Sequence, residues 1–342
     1  MTLCNTAMIG SMPGTEAATA LGALAQFPLG IPTWPQLPKR SFKESMTVQY
    51  TEGFPGIRVD EPEKRIWVER DEKLLESMTA FYEAIVAENG SPFAVSDAYA
   101  AGLHAFVNAR KGERSSLIKG QVVGSFTFGF SLCDNENRPV WFDEQYRDIV
   151  VKGITMKSVW QAKQLAALAD QVIIFLDEPI YSALGTPTYI GIENADVIAA
   201  LNEITAALHA AGAFVGVHCC GNMEWSLLAQ TDIDIISFDA YSFGDKVALY
   251  AADIDTFLKR GGTLAWGIVP TDTTEHIAQE TGRSLCEKTL ALENLFAGKG
   301  VGRNILRQNR IFTPSCGMGN LKDEDSERVL EMLRFVGEKY GG

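Results

Sequence analysis

Short apolar runs rich in β-branched and aromatic residues alternate along the chain with longer stretches of helical periodicity. The runs predict eight strands, at 7–10, 31–34, 121–128, 172–176, 214–217, 233–238, 263–268 and 310–313. Several, such as VIIFL and AFVGV, are apolar on both faces, as parallel strands covered by helices are. Between them, the spacing predicts amphipathic helices over 71–88, 146–168, 194–210 and 285–296. Strands alternating with helices predict an α/β fold, and eight in this order predict a single (β/α)8 TIM barrel over 1–342. An open doubly wound sheet is the competing architecture. One segment breaks the rhythm. Residues 56–69 alternate apolar and polar on either side of Asp60-Glu61-Pro62, which predicts a β-hairpin inserted after the second strand, at about 54–70. With no repeat, linker or low-complexity tract, one domain is expected.

Composition narrows the function classes. Hydrophobic residues make up 46% of the 342 and charged residues 21%, ordinary for a folded chain and too apolar for a disordered one. Acidic side chains outnumber basic ones 43 to 30, a net charge of -13, whereas a nucleic-acid binder needs a basic face. No run reaches the roughly 18 apolar residues that span a bilayer. The start, MTLCNTAMIGSMPGTEAA, lacks the basic and apolar regions of a signal peptide, so a cytoplasmic protein with reduced thiols is expected. Six cysteines are too few to staple a chain of this length. In that setting a cysteine beside a histidine reads as a ligand or a nucleophile.

The chemistry-bearing residues fall at the carboxyl ends of the expected strands, which converge on one face in a barrel. The fifth strand runs into His218-Cys219-Cys220, and the eighth into Pro314-Ser315-Cys316-Gly317. One imidazole and two thiolates suit a single zinc ion, with the fourth position open to an oxygen ligand or a substrate. Neighbours on a strand point to opposite faces, so His218 pairs with Cys220 rather than Cys219. Asp239, ending the sixth strand, is either the fourth ligand or a helix cap. Asp177-Glu178, ending the fourth, offers one carboxylate for a substrate amino group and another for a salt bridge or cap. Cys133 reads as structural, and Cys4 and Cys286 lie outside every cluster. The glycine-bearing stretches 124–129 and 317–319 match neither phosphate-loop fingerprint and read as tight turns. Lys39-Arg40, after the second strand, either face solvent on a proline-stiffened loop or bind a carboxylate. A zinc site of this kind has an evident use: it deprotonates a substrate thiol and holds it as the attacking thiolate.

Four of these strand ends resemble, in order, the catalytic C-terminal barrel of cobalamin-independent methionine synthase, within the superfamily that includes uroporphyrinogen decarboxylase. Ile9-Gly10-Ser11 is similar to its opening I-G-S, Asp177-Glu178-Pro179 to its D-E-P, His218-Cys219-Cys220 to its H-x-C zinc pair, and Cys316 to its late cysteine ligand. The resemblance implies zinc on His218, Cys220 and Cys316, the homocysteine carboxylate on Ser11 and its amino group on Asp177, with Glu178 beside it. It departs in having Asp239 where the family carries a glutamate. The family also has a second homocysteine-binding glutamate after strand two, near which Glu44 and Glu52 lie out of register. The length resembles the short "core" synthases, and this implies a methylated corrinoid as methyl donor, brought by a carrier protein. The resemblance thus leads to an expected zinc-dependent methyltransferase making methionine, with one zinc per chain. The alternatives are a methylcorrinoid:coenzyme M methyltransferase, a zinc-free decarboxylase, and a non-catalytic corrinoid- or metal-binding accessory. The first arginine, Arg40, comes late for a porphyrinogen decarboxylase, which needs arginines near the N-terminus.

Overall fold

The apolar runs pair mainly with one another. The computed structural model of the chain describes residues 6–189 and 191–340. Its strands are β1 (Ile57–Asp60), β2 (Arg65–Val68), β3 (Ser115–Val123), β4 (Cys133–Asp134), β5 (Ala169–Asp177), β6 (Ala213–Cys219), β7 (Ile235–Phe238), β8 (Thr263–Val269) and β9 (Arg310–Pro314). A curled, all-parallel sheet takes six of them in the order β3-β5-β6-β7-β8-β9. Each step between neighbours passes through a helix, as parallel crossovers require.

Side-chain alternation splits the interior in two. Ile173, Phe175, Ile235, Ala265 and Ile311 form a small cluster on the concave face, joined by Ala7 and Ile31. Their strand neighbours, among them Leu176, Val217 and Phe238, pack outward into the larger core beneath the helices.

Two of the eight expected strands are not strands of the sheet. Segments 7–10 and 31–34 are extended but carry only isolated parallel bridges nearby: Thr6 with Phe312, Ser11 with Gln36, and Thr33 with Lys119. In the second segment, Pro32 and the adjoining Pro35 have no N–H to give, which interrupts a ladder. The bonds that remain include Ala7 N to Phe312 O (3.0 Å), Ile31 N to Thr6 O (2.9 Å) and Lys119 N to Pro32 O (2.9 Å). The regular sheet therefore has six strands where eight were expected.

The third expected strand is displaced. β3 ends at Val123, and Ser125–Ser131 is a helix. Phe126, Phe128 and Phe130 alternate with the period of a strand, yet every residue from Ser125 to Phe130 is buried in the helix, so the alternation misleads. The hairpin is present, with Ile57 opposite Val68 and Asp60 opposite Arg65. β4 then adds to β2 in parallel. The expected helices appear as Leu74–Val86, Glu144–Ala166, Asn194–Ala210 and Gly282–Gly298. The second begins two residues early because the Asp143 carboxylate accepts from Tyr146 N and caps it. Among the described residues, no helix is long and apolar enough to cross a membrane.

Candidate active site

Strand register puts Asp177 of β5 beside His218 of β6, and His218 beside Ser237 of β7. The three form one row at the carboxyl end of the sheet, on the concave side. Cys220 follows His218 by two residues. Cys316 arrives from the loop after β9, whose shape is set by Thr271: Cys316 N donates to Thr271 Oγ1 (3.0 Å), and Thr271 N donates to Ser315 Oγ (3.1 Å). Ligand atoms of His218, Cys220 and Cys316 then lie within 4.8 Å of one another, the one such group of metal-ligating side chains among the described residues.

The donors suit a metal ion. His218 is buried, its Nδ1 lies 3.0 Å from Ser237 Oγ, and its Nε2 has no partner. An unpaired ring nitrogen buried beside two sulfurs is costly unless something binds it. The Cys220 thiol is drawn down to about 4, first by a hydrogen bond from Cys316 and then by His218. The same contact pushes Cys316 up. One nitrogen and two sulfurs are borderline-soft donors that zinc favours.

These residues open onto a cavity of about 270 Å³, which Ser11, Gln36 and Asp177 also line. Asp177 is buried, and its Oδ1 has no partner. Burial pushes its carboxyl up to about 6, against the pull of His218 and of Lys119. Lys119 lies fully buried below, donating to Ile9 O (2.6 Å), and burial lowers it to about 7. Ser11 Oγ accepts from Gly319 N (3.1 Å), which joins the first segment to the Cys316 loop.

Other expected site residues are placed elsewhere. Glu178, adjacent to Asp177, faces outward and does not line the cavity. Its carboxylate accepts from Phe126 N (3.0 Å), Thr127 N (2.8 Å) and Thr127 Oγ1 (2.7 Å), at the start of the Ser125–Ser131 helix. Gly124 permits this approach, since a Cβ there would stand 2.1 Å from the carboxyl group. Asp239 stands apart from the three-ligand group; its Oδ1 accepts from Ser242 N (2.8 Å), capping the helix Ala240–Val247. Of the two open readings for Asp239, the geometry favours the cap. Cys219 is buried in the outer core, as its parity requires, and Cys133 and Cys286 lie apart from the group. Cys4 lies outside the described residues. Lys39 Nζ donates to Leu321 O (2.8 Å), and Arg40 pairs with Glu44 (2.7 Å). Lys39 thus ties its loop to the segment after β9, while Arg40 is paired locally. Glu44 contributes to the cavity wall, while Glu52 accepts from Ser96 N (2.7 Å) away from it.

Two solved structures share this architecture. A B12-independent methionine synthase from Shewanella sp. W3-18-1, in complex with selenomethionine, superposes with a TM-score of 0.59 at 15% identity, over 98% of this chain and 97% of that one. A Listeria monocytogenes protein provisionally described as a vitamin-B12-independent methionine synthase gives 0.53 at 13% identity, over 95% and 86%. The likeness is one of fold. No protein-family model and no curated protein matches the sequence.

Ser237, Thr271, Lys119 and Gln36 escaped the sequence reading. A signal existed for two of them: Lys119 and Gln121 alternate within LIKGQVV, and Ser237 is the lone polar residue of IISF. Polar residues at alternate positions of a buried strand mark the face that meets a ligand or a polar network.

Proposed function

We propose that this chain is a zinc-dependent methyltransferase that methylates the thiol of homocysteine to give methionine. The observation that carries the reading is the meeting of His218, Cys220 and Cys316 in a cavity shared with Asp177, whose Oδ1 has no protein partner. His218, Cys220 and Cys316 would hold a zinc ion, which would lower the pKa of a substrate thiol. The chain's own residues do the rest. His218 offers Nε2 while its Nδ1 stays on Ser237. Asp177 pairs with the substrate ammonium. Ser11 Oγ, already accepting from Gly319 N, keeps its own proton to donate to the carboxylate. Held at both ends, the amino acid brings its sulfur to the donors in one orientation. In this reading the two bridged segments complete an eight-element barrel around the sheet.

The unpartnered Asp177 oxygen favours an amino-acid thiol over coenzyme M, which has no ammonium to offer. The corrinoid donor and its carrier protein draw no support from the two similar structures, both described as B12-independent. A cobalamin-free methyl donor is therefore the second reading. Supplying zinc-loaded protein and homocysteine with methylcobalamin or with a methylated folate decides between them. Metal analysis should find about one zinc per chain, as a single three-ligand site requires, and Cys316→Ala should lose the metal and thiol methylation together. Methionine formed by zinc-free protein sinks the reading. Zinc retained without thiol methylation from either donor points to the accessory role.

A further inference from the structure

Gln36 lines the cavity, yet its amide is not free to turn. Its Nε2 donates to Gln49 Oε1 (2.8 Å) and lies 3.5 Å from the Tyr50 hydroxyl oxygen. Each of those partners has its role fixed from behind. Gln49 Nε2 donates to Tyr99 O (2.8 Å), and the Tyr50 hydroxyl donates to Gln121 O (2.6 Å). A backbone carbonyl only accepts, so Gln49 must turn its NH2 toward Tyr99 and its oxygen toward Gln36. Tyr50, its one proton spent, is likewise left as an acceptor. Gln36 must therefore point its NH2 inward, and its Oε1 is left over with no hydrogen-bond donor from the protein. That oxygen lies against Gly10, where a Cβ would stand 2.5 Å from it, between Ile9 and Ser11 in the cavity wall.

We propose that Gln36 is a specificity-determining residue: its carbonyl oxygen, locked outward by Gln49 and Tyr50, presents a fixed uncharged acceptor that takes an N–H of the substrate ammonium. The proposal rests on the thiol reading above and deepens it, because it makes an amino group on the substrate a requirement of two walls of the cavity. A carboxylate at this point would rotate without consequence and could hold a proton. The locked amide does neither, so it rewards a hydrogen-bond donor and leaves its oxygen unpaired against any thiol that lacks one. Gln49 and Tyr50 are positioning residues, since they act only through Gln36.

The test is equilibrium binding of homocysteine and of its des-amino analogue, 4-mercaptobutyrate, to zinc-loaded wild type, Gln36→Met and Gln49→Met, with melting temperature and zinc content as folding controls. Gln36→Met keeps the length of the side chain and removes its oxygen. Homocysteine affinity should fall about tenfold, the worth of one hydrogen bond to a charged group, while affinity for the des-amino thiol holds or rises, since the oxygen it left unpaired is gone. Gln49→Met leaves the Gln36 amide free to turn, and should move selectivity in the same direction by less. If Gln36→Met fails its controls, Gln49→Met carries the test alone. Selectivity unchanged in the folded variants, or both thiols weakened equally, overturns the assignment and leaves the thiol reading standing. A wild type that binds neither thiol overturns both.

Discussion

At the residue scale, the candidate centre depends on groups that never touch a substrate. Ser237 holds His218 through Nδ1 at 3.0 Å and so leaves Nε2 for the metal. Such outer partners are worth about 10–100-fold in metal affinity. Ser237→Ala should accordingly weaken zinc binding by at least about tenfold in a competition titration against a chromophoric chelator, with the fold intact. The group of candidate metal ligands was legible in the sequence because imidazole and thiol are rare donors with few structural uses, and three of them fell at two strand ends. Gln36 was not legible. Amides carry no charge to single them out, and the orientation of this one is decided by Tyr99 and Gln121, far away in the chain. Glu178 follows the same rule as the cysteines: the parity that separates Cys219 from Cys220 also separates Glu178 from Asp177, and Glu178 takes the capping role left open for one of the pair.

At the element scale, Glu178 ties β5 to the short helix Ser125–Ser131 that follows β3. The carboxyl is fully buried, and burial lifts it to about 7 while its three donors pull it down. Removing it leaves buried N–H groups with no acceptor, at a cost of roughly 1–3 kcal/mol for each such group. Glu178→Ala should therefore lower the melting temperature clearly while the zinc content stays at its wild-type value. A carboxylate that served the substrate instead would show the reverse pattern. The same helix explains why element boundaries were less legible than the alternation itself. The alternating phenylalanines of this run read as a strand, and a glutamate 51 and 52 residues onward caps it as a helix instead. Proline decided the other departure, at segment 31–34, by withholding ladder donors.

At the scale of the whole molecule, stability is linked to a buried cation far from the chemistry. Lys157, on the helix Glu144–Ala166, is fully buried, with Phe93 O at 3.5 Å and the Phe54 ring at 5.9 Å. Burial lowers its amine from 10.5 to about 7, with Glu52 opposing. The unfolded chain then binds more protons than the folded one between those two values, so this group makes stability rise with pH across that window and adds no slope below it. Lys157→Met should raise stability at pH 6 by roughly 1–4 kcal/mol in urea unfolding, with the gap to wild type closing as pH climbs through the window. A gap that stays constant would place the cost in packing rather than charge.

The two halves of the cavity are anchored unequally. His218 and Asp177 stand on strands paired on both sides along a continuous ladder, while Ser11 and Gln36 stand on segments tied by single bridges. Native-state hydrogen exchange would see the first wall as part of the slowest core and the second as an early-opening flap. A ligand spanning both would clamp the looser wall to the firmer one, and so protect amides that it never contacts.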